Sequence, residues 1–544
     1  MTKTGGELLT EQLIAEGVQT IFGVPGIQLD YAMDGLAQNR ESIDFISARH
    51  EQGAAYMADG YARVAGRPGV CMVVPGPGLL NAGAALSTAF ATNSPVVCIA
   101  GQIPSPTIGR GLGMLHEIQG QTDLLRSLTK WNGIAKSPEE IPGLVREAFK
   151  QATSGRPRPV GIEIPPDVLQ GRTTAGAVNP SGDSAGDSAG DSAGEIDEDS
   201  VSRAVELLAA AERPVIVAGG GVRDAASSAA LQALAERLGA PVITSRNGKG
   251  AVSDRHPLVL SRLAGAEVLE NADVVLAIGT RFITMTGRPV VRPGRHRLIA
   301  INADPADVRA PREFEVAVIA DARVAMEAIM NSLPGGKRAA PVLDGYRERE
   351  RDALSAIEPQ LEWLRAIRAA MPDDGIFVEE LTQVGYAARL AFPVYEPGTY
   401  VTPGYQGTLG YGFPTGLGAA VGAKGRQVVS INGDGGFGWA LQELSTAAKY
   451  GIGLVTVVFS NDAFGNVQRI QSETFGRNIG VDLKNPDFVA LAKEFGVAGE
   501  RVTTPEALEK AIRNAGGTDA PVLLEVPFGE VPSPWKLLAE PSIG

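Results

Sequence analysis

Two apolar runs that each end in a polar turn constrain the fold of this chain more than any other feature. The first run, 427–432, is rich in β-branched residues and ends at a Gly-Asp-Gly turn, while the second, 454–459, is followed closely by Asn461. The segment between them, 439–450, has apolar residues at helical spacing. A crossover helix makes the two strands parallel neighbours, so both end at one edge of a sheet. We therefore expect Asp434 and Asn461 to lie side by side.

The polar groups at this edge suit a metal ion that holds a diphosphate. Mg²⁺ is commonly bound by one or two protein oxygens together with ligand phosphates, and Asp434 and Asn461 supply a carboxylate and an amide oxygen. The glycine turn leads into the predicted helix, whose first N–H groups suit phosphate oxygens. The turn alone would more often be a plain turn with a capping Asp. Asn461 at this spacing favours the metal–diphosphate site.

This part of the chain also resembles a known family. Residues 431–465 are similar to the thiamine-diphosphate signature of the superfamily that contains acetolactate synthase, pyruvate decarboxylase and benzoylformate decarboxylase. The resemblance implies that Asp434 and Asn461 bind Mg²⁺ through side chains and Ala463 through its carbonyl oxygen. Asp462 stands where many members have a second Asn, at a position that does not touch the metal. Further coenzyme contacts are implied for residues of the two turns, namely Gly433, Gly435, Gly436, Phe464, Gly465, Asn466 and Val467.

A second stretch, 47–63, is similar to the family segment that carries the catalytic glutamate, and Glu51 is the matching residue. Thiamine chemistry needs a carboxyl group against a ring nitrogen of the aminopyrimidine. Such a group works best away from water, with a raised pKa. Taken alone, a glutamate in the first turn of a helix would more often be solvated.

Two further segments resemble family segments around the coenzyme, and single residues elsewhere match family positions at the substrate. Residues 74–81 resemble the loop that closes over the coenzyme, and 407–414 resemble the segment that bends it, with Leu409 as the wedge. The resemblance adds Pro25, Gly76, Asn81, Gly407 and Leu409 to the cofactor-binding set. Gln28, His116 and Gln121 join Glu51 as catalytic-site candidates by family position, with both glutamines expected to orient a carbonyl or carboxylate. Gln28 and His116 fit ordinary loop or cap roles equally well.

Composition indicates a soluble enzyme with several domains. The 544 residues are 44% hydrophobic, which suits about three domains that each bury a core. A net charge of −13 argues against nucleic acid or an anionic membrane as partner. Cys71 and Cys98 lie in apolar runs and are expected to be reduced core residues. With no signal pattern at the N-terminus and no apolar run of membrane-spanning length, a cytoplasmic protein without membrane partners is expected.

Alternating strands and helices predict an α/β fold with three doubly wound parallel-sheet domains. We expect an N-terminal pyrimidine-binding domain at 1–172, a central Rossmann-like domain at 198–335 and a diphosphate-binding domain at 360–544. The linker at 173–197 contains a Gly-Asp-Ser-Ala repeat and should be exposed. A second linker spans 336–359.

The central domain carries two weak signals for a further ligand. Its glycine turn, Gly219 to Gly221, could be a nucleotide loop, although a lone glycine turn is weak evidence. Family members bind FAD, an ADP or CoA moiety, or nothing in this domain, and FAD is possible but not favoured here. A basic cluster could meet a phosphate, but a solvated face is the commoner interpretation; it comprises Arg288, Arg292, Arg295, His296 and Arg297.

Overall likeness is to large subunits of acetolactate synthase, in segments 155–165, 281–287 and 441–448. Two departures argue against a literal assignment, because Met285 replaces an arginine that grips the acceptor and Ile470 replaces a pocket tryptophan. Only four histidines exist and no two are adjacent, which argues against the pyruvate decarboxylase type.

The expected function is therefore thiamine-diphosphate- and Mg²⁺-dependent cleavage or formation of a C–C bond next to a carbonyl. The favoured reaction is decarboxylation and carboligation of a 2-oxo acid, with a 2-oxo acid or aldehyde as the small-molecule partner. Two alternatives are a 2-hydroxyacyl-CoA or α-hydroxyketone lyase and a noncatalytic paralogue that binds the coenzyme. In the family the first and third domains meet across subunits, which implies a homodimer at minimum, and a homotetramer is expected.

Overall fold

The computed structural model describes residues 2–181, 196–281, 291, 294–309, 313–516 and 519–539. Within these ranges the chain forms three six-stranded parallel sheets, each flanked by helices, and one short antiparallel pair. The predicted α/β class with three doubly wound domains is confirmed. The repeat at 182–194, together with Met285, Arg288 and Arg292, lies outside the described residues.

The first sheet has the strand order β3-β2-β4-β5-β7-β6. Its central strands are buried along their whole length, as expected for a parallel sheet with helices on both faces. Cys71 and Cys98 are Cα partners on β4 and β5, and both are buried and free, which confirms them as reduced core residues. The elements are β1 (Lys3–Thr4), α1 (Gly5–Ala15), β2 (Thr20–Gly23), α2 (Asp30–Gln38), β3 (Asp44–Ser47), α3 (Glu51–Ala65), β4 (Gly69–Val73), α4 (Pro77–Thr92), β5 (Val96–Gly101), α5 (Gln121–Leu128), β6 (Trp131–Ile134), α6 (Ile141–Thr153), β7 (Val160–Ile164), α7 (Pro166–Gln170) and β8 (Arg172–Thr173).

The second sheet has the order β11-β10-β9-β12-β13-β14, and α12 follows it as a connecting helix. Its elements are α8 (Glu198–Ala210), β9 (Pro214–Ala218), α9 (Ala225–Leu238), β10 (Val242–Thr244), β11 (Val259–Leu260), α10 (Arg262–Glu270), β12 (Val274–Ile278), β13 (Arg297–Asn302), β14 (Val316–Ile319), α11 (Ala322–Ser332) and α12 (Asp344–Leu354).

The third sheet has the order β16-β15-β17-β18-β20-β19. The two apolar runs at 427–432 and 454–459 form most of β17 and β18, which are parallel neighbours. The elements are α13 (Glu358–Ala370), β15 (Ile376–Val378), α14 (Gln383–Ala391), β16 (Tyr400–Val401), α15 (Gly412–Gly422), β17 (Val428–Gly433), α16 (Asp434–Phe437), α17 (Leu444–Tyr450), β18 (Val455–Ser460), α18 (Gly465–Phe475), α19 (Phe488–Glu494), β19 (Ala498–Arg501), α20 (Pro505–Ala515), β20 (Val522–Pro527) and α21 (Trp535–Ala539).

One predicted helix is wrong in its extent. The expected helix at 439–450 is instead a turn at Trp439 and Ala440, a 3₁₀ turn at Leu441–Glu443 and the seven-residue α17. Trp439 lies in a turn and is 58% exposed. Helical spacing did not reveal the break because the buried residues on both sides of it keep the same period.

The first and third domains pack together within one chain through α3 and α15. A Cβ on Gly60 or on Gly418 would overlap a backbone carbonyl of the other helix, that of Thr415 or of Met57. The two helices therefore cross at backbone contact distance, which only residues without a side chain permit. Buried residues of both domains form one continuous core around this crossing. Among the described residues, no helix has the length and apolar character needed to traverse a bilayer.

Candidate functional site

Asp434 and Asn461 lie at neighbouring strand ends, as the sequence predicts. Gly433 and Phe459 are Cα partners on β17 and β18, so the residues that follow them emerge together. The Asp434 side chain is buried, and its Oδ2 accepts hydrogen bonds from the backbone N–H groups of Asn461 at 3.1 Å and Asp462 at 2.7 Å. Its Oδ1 accepts one bond, from the N–H of Gly435 at 2.9 Å, and keeps a lone pair for a further ligand.

Asp434, Asn461 and the backbone that follows each of them form a corner at this edge of the sheet. A residue that sequence reasoning missed, Asn485, also contacts this corner. Its Nδ2 donates 2.8 Å bonds to both Asp434 Oδ2 and Asp462 Oδ1. The loop after β18 is also held from outside, because Ala463 forms an isolated bridge with Asp482 and Phe464 donates its N–H to Val481. The loop with the implied metal ligands is thus fixed by residues about twenty positions further along the chain.

Side chains are excluded from the glycine turn of this corner. A Cβ on Gly435 would lie 2.7 Å from the Phe464 ring, and one on Gly436 would overlap the Glu380 carboxyl group. Gly465, at the start of α18, lies under the Asn461 amide, whose Nδ2 is 3.0 Å from a Cβ built there. The corner therefore presents backbone and the Asp434 and Asn461 side chains, which suits a metal ion and the oxygens of a diphosphate.

Glu380 lies beneath the glycine turn and is a second residue that sequence reasoning missed. Its side chain is 1% exposed, and its Oε1 accepts from the N–H groups of Gly410 at 3.0 Å and Tyr411 at 3.3 Å. Its Oε2 is buried and has no hydrogen-bond partner within the described ranges of the chain. Burial raises the pKa of the Glu380 carboxyl to about 8, although the backbone donors act in the opposite direction.

The segment before α15 carries Gly407 and Leu409, both implied in coenzyme binding. Gly407 has a φ of +57°, a conformation that glycine adopts without strain. The Leu409 carbonyl accepts a 3.3 Å bond from Gln52 Nε2, and Thr408 bonds to the Tyr56 hydroxyl. This segment therefore lies against the start of α3 within one chain.

Glu51 is the first residue of α3, and its Oε2 accepts a 2.9 Å bond from Asn81 Nδ2 on α4. A Cβ on Gly78 would lie 3.4 Å from the other oxygen, Oε1, which is an ordinary contact distance. The structure thus brings together Glu51 and Asn81, which the resemblance implied from separate segments.

The start of α3 is held by a third missed residue, Glu443. Its carboxylate is fully buried and accepts from the backbone N–H groups of Arg49 and His50 at 3.1 Å, and from Thr446 Oγ1 at 2.6 Å. Burial raises the pKa of the Glu443 carboxyl. A third-domain side chain therefore anchors the two residues that precede Glu51.

The remaining pocket candidates of the first domain form one cluster. Gln121 is 4% exposed; its Oε1 accepts from Gly76 N–H at 2.8 Å, and its Nε2 donates to Gly101 and Glu163. Both the oxygen and the nitrogen of this amide have partners within the protein, and the bond to Gly76 holds the Gly76 turn. Gln28 Oε1 lies 3.2 Å from His116 Nδ1, and His116 has a positive φ of 67°.

Three further candidates, Pro25, Asn466 and Val467, are exposed or half-buried. Pro25 is exposed and lies between the end of β2 and Gln28. On α18, Asn466 accepts a bond from Arg469, while Val467 and Ile470 share an exposed face and are 48% and 45% exposed. Both residues lie on α18, which begins at Gly465, shortly after Asn461 in the chain.

Comparison with known proteins decides the family. The chain matches three domains of the thiamine pyrophosphate enzymes, namely the N-terminal TPP binding domain at 3–126, the central domain at 201–329 and the C-terminal TPP binding domain at 382–526. It is 36% identical over 538 residues to a probable 2-ketoarginine decarboxylase of Pseudomonas aeruginosa, covering 96% of this chain and 94% of that protein.

This chain is a thiamine pyrophosphate enzyme.

Other relatives of this thiamine pyrophosphate enzyme carry acetolactate synthase names. The mitochondrial catalytic subunit of Saccharomyces cerevisiae is 32% identical, over 96% of this chain and 80% of its own length. The isozyme 2 large subunit of Escherichia coli is 30% identical, over 98% and 97% of the two chains. The predicted acetolactate synthase-like superfamily is thereby confirmed.

The donor set of this thiamine pyrophosphate enzyme fits a Mg²⁺ ion held with a diphosphate. In the described part of the chain no group of three or more His, Cys, Asp or Glu side chains could hold a metal ion. An Asp, an Asn amide and a backbone carbonyl are not such a group, and this sparse set needs ligand oxygens to complete an octahedron.

In the central domain of this thiamine pyrophosphate enzyme, contacts within the protein explain the glycine turn and the described part of the basic cluster. The glycine turn packs against Gly279, since a Cβ on Gly221 would lie 2.7 Å from the Gly279 Cα. Arg297 forms a two-bond ion pair with Glu315, and Arg295 pairs with Glu270 at 3.5 Å. His296 is buried. The described part of the basic cluster is therefore engaged within the protein.

Proposed function

We propose that this chain is a Mg²⁺- and thiamine-diphosphate-dependent enzyme that breaks the C1–C2 bond of a 2-oxo acid. CO₂ leaves, and the remaining acyl carbon is either protonated to an aldehyde or joined to a second carbonyl compound. One observation carries the proposal. The Asp434 carboxylate contacts Asn461 beside a turn in which Gly435 and Gly436 leave no room for side chains. The names of the relatives support the 2-oxo acid class.

The residues of the corner would hold the coenzyme by its charged end. Asp434, Asn461 and the Ala463 carbonyl would bind Mg²⁺, and the N–H groups of Gly435 and Gly436 would face the diphosphate. When bound, thiamine diphosphate supplies a carbon nucleophile that stores the electron pair released by C–C cleavage. The Mg²⁺ requirement is tested by coenzyme binding with and without a chelator.

At the other end of the site, Glu51 would act in proton transfer. Glu51 would share a proton with the aminopyrimidine, and Asn81 orients its carboxyl group through a 2.9 Å bond. Leu409 and Gly407 would support the bent coenzyme from below. Gln28 and His116 would meet the substrate carbonyl or carboxylate, and Asn466 with the apolar face of Val467 would border its side chain.

A panel of 2-oxo acids tests the reaction. Purified protein with thiamine diphosphate and Mg²⁺ is incubated with 2-ketoarginine, pyruvate, 2-oxobutanoate and benzoylformate, and CO₂ and carbonyl products are measured. We expect CO₂ from at least one acid. Aldehyde from an α-hydroxyketone or a 2-hydroxyacyl-CoA without CO₂ would favour the lyase alternative, and coenzyme binding without any turnover would favour the noncatalytic paralogue.

The proposal also covers the oligomeric state of the protein and its place in the cell. We infer a homodimer at minimum, with a homotetramer expected, working on small molecules in the cytoplasm. The two buried free cysteines are compatible with a reducing compartment. Light scattering of the holoenzyme measures the assembly state.

A further inference from the structure

A cavity of about 430 Å³ lies where the central domain, α12 and the third domain meet. The ends of β10 and β11 form one wall, and α12 forms another. The third domain contributes the end of α14 and the C-terminal α21. Neither Gly219–Gly221 nor the Asp434 corner lines this cavity, so its lining is separate from both sites described above.

The lining is strongly basic in a chain of net charge −13. It carries six cationic side chains and two acidic ones. Both acids are already engaged, since Asp254 accepts from the Val394 N–H at 2.8 Å and Glu350 accepts from the Ser261 hydroxyl. Burial raises the pKa of both carboxyl groups, and the nearby charge of Lys249 opposes that shift in each. The cations are Arg246, Lys249, Arg262, Arg347, Arg351 and Arg389.

Three residues of the lining carry a buried donor atom without a hydrogen-bond partner in the described part of the chain. Arg246 and Arg389 each donate to Glu379 at 2.7 Å, yet among the described residues Nε of Arg246 and Nη2 of Arg389 find no partner. The same holds for the indole Nε1 of Trp535. Buried donors of this kind normally find an acceptor.

The rest of the lining is apolar and limits the size and character of an occupant. Leu260, Leu354 and Leu538 line the cavity with Phe392 and the Trp535 ring. A volume of about 430 Å³ falls within the usual range of small-molecule pockets. Cations and apolar groups in one cavity suit a ligand with an anionic group on an apolar body.

We propose that this cavity binds a small organic anion, with its carboxylate or phosphate group at Lys249 and Arg351 and its apolar body against Phe392 and the leucines. This inference stands independently of the reaction catalysed at the coenzyme site. Carboxylates and phosphates share the charge and the acceptor oxygens that the lining requires, and two probes distinguish them.

The test is titration calorimetry on the holoenzyme. The probes are 3-phenylpropionate and phenyl phosphate, with uncharged 3-phenylpropan-1-ol as the control ligand. We expect saturable binding of at least one anion and binding of the alcohol at least about tenfold weaker, because only the anion forms charge-assisted hydrogen bonds. The tighter of the two anions identifies the preferred head group.

Substitutions in the lining test whether the anion binds in this cavity. Lys249→Met keeps the side-chain length and removes the charge, and it should weaken the tighter anion about tenfold or more. Arg351→Gln, at the exposed rim, should weaken it in the same direction and serves if Lys249→Met does not fold. Lys510→Met, on the exposed face of α20, is the matched control and should leave the affinity unchanged.

Two results would overturn the proposal. One is the absence of saturable binding of either anion at millimolar concentration. The other is binding that survives unchanged in folded Lys249→Met and Arg351→Gln proteins, since the anion would then occupy another place such as the coenzyme site.

Discussion

The Glu443 carboxylate accepts a 3.1 Å hydrogen bond from the backbone N–H of His50. His50 is the N-cap of α3 and directly precedes Glu51, so a third-domain side chain fixes where the helix with the candidate catalytic glutamate begins. A buried carboxylate at a helix N-terminus is also favoured by the helix dipole. The position of Glu51 therefore depends on a contact between residues almost 400 positions apart.

Replacing Glu443 by Gln should lower both stability and turnover. Gln keeps one acceptor oxygen but turns an NH₂ group toward backbone donors, and hydrogen bonds to charged groups contribute about 1.5–3 kcal/mol. Thermal denaturation and kcat are measured side by side. Glu506→Gln, an exposed first-turn glutamate on α20, is the control and should change little. Equal behaviour of the two variants would contradict the anchoring role.

Replacing Glu51 by Gln should reduce turnover by about 10² to 10⁴ with folding intact. The amide keeps the size of the side chain and can still bond to Asn81, but it cannot share a proton. CO₂ release is measured on the best 2-oxo acid, and coenzyme affinity is measured by calorimetry. Glu41→Gln, on an exposed turn, is the control. Unchanged turnover in Glu51→Gln would remove its assigned role.

Mixing two inactive variants reports how many chains build one site. If Glu51 and Asp434 of one site come from different subunits, random dimers of Glu51→Gln and Asp434→Asn chains regain about a quarter of wild-type activity. Half of such dimers are mixed, and each mixed dimer has one intact site. Refolded or co-expressed mixtures are assayed against each variant alone. Activity at the level of the single variants would mean that one chain supplies both residues.

The buried Glu380 should make stability fall as pH rises. Its pKa is raised to about 8 in the folded protein, so the folded state binds more protons than the unfolded state above the ordinary glutamate pKa. The contribution of this proton to the free energy of unfolding is largest below about pH 4.5. It declines by up to ~1.4 kcal/mol per pH unit as the pH rises to about 8, and above that pH it is lost.

Glu380→Gln is the matched comparison for that pH dependence. Gln is uncharged at every pH and is close to the protonated glutamate in shape. Thermal midpoints of the two apoproteins are measured at pH 5.5, 7 and 8.5. The wild-type midpoint should drop relative to that of the variant across this series. Parallel curves would show that Glu380 does not change protonation there.

A methyl group at the crossing of α3 and α15 should be poorly tolerated. In Gly418→Ala the new Cβ would overlap the Met57 carbonyl oxygen, and overpacking of this kind costs about 1–3 kcal/mol or more. Gly143→Ala, early in α6 with no atom within 4 Å, is the control and should change stability by less than about 1 kcal/mol. Similar urea midpoints for the two variants would contradict the tight crossing.

The parts of the fold and site that depend on local pattern were predictable. Buried strands alternating with helices imply parallel sheets, and parallel strands imply that Asp434 and Asn461 meet at one edge. Glu51 at the start of α3 followed from the resemblance of its segment, and the helix boundary agrees with it. Their coenzyme contacts remain predictions.

The missed residues have partners distant in sequence. Glu380, Glu443 and Asn485 look like ordinary polar residues, and only tertiary contacts with Gly410, His50 and Asp434 give them a role. The helix expected at 439–450 failed because Trp439 and Ala440 leave helical geometry while the apolar period continues on both sides. Sequence periodicity records which face is buried and does not record where the backbone turns.

The close approach of Gly60 and Gly418 to the opposite helix also bears on how this protein could be redesigned. Backbones that touch leave no tolerance for altered side chains, so libraries that randomise α3 or α15 should yield mostly unfolded protein. The outward face of α18, with Val467 and Ile470, has open space around it. An engineer who wants a different substrate range should place diversity on that face and leave the crossing untouched.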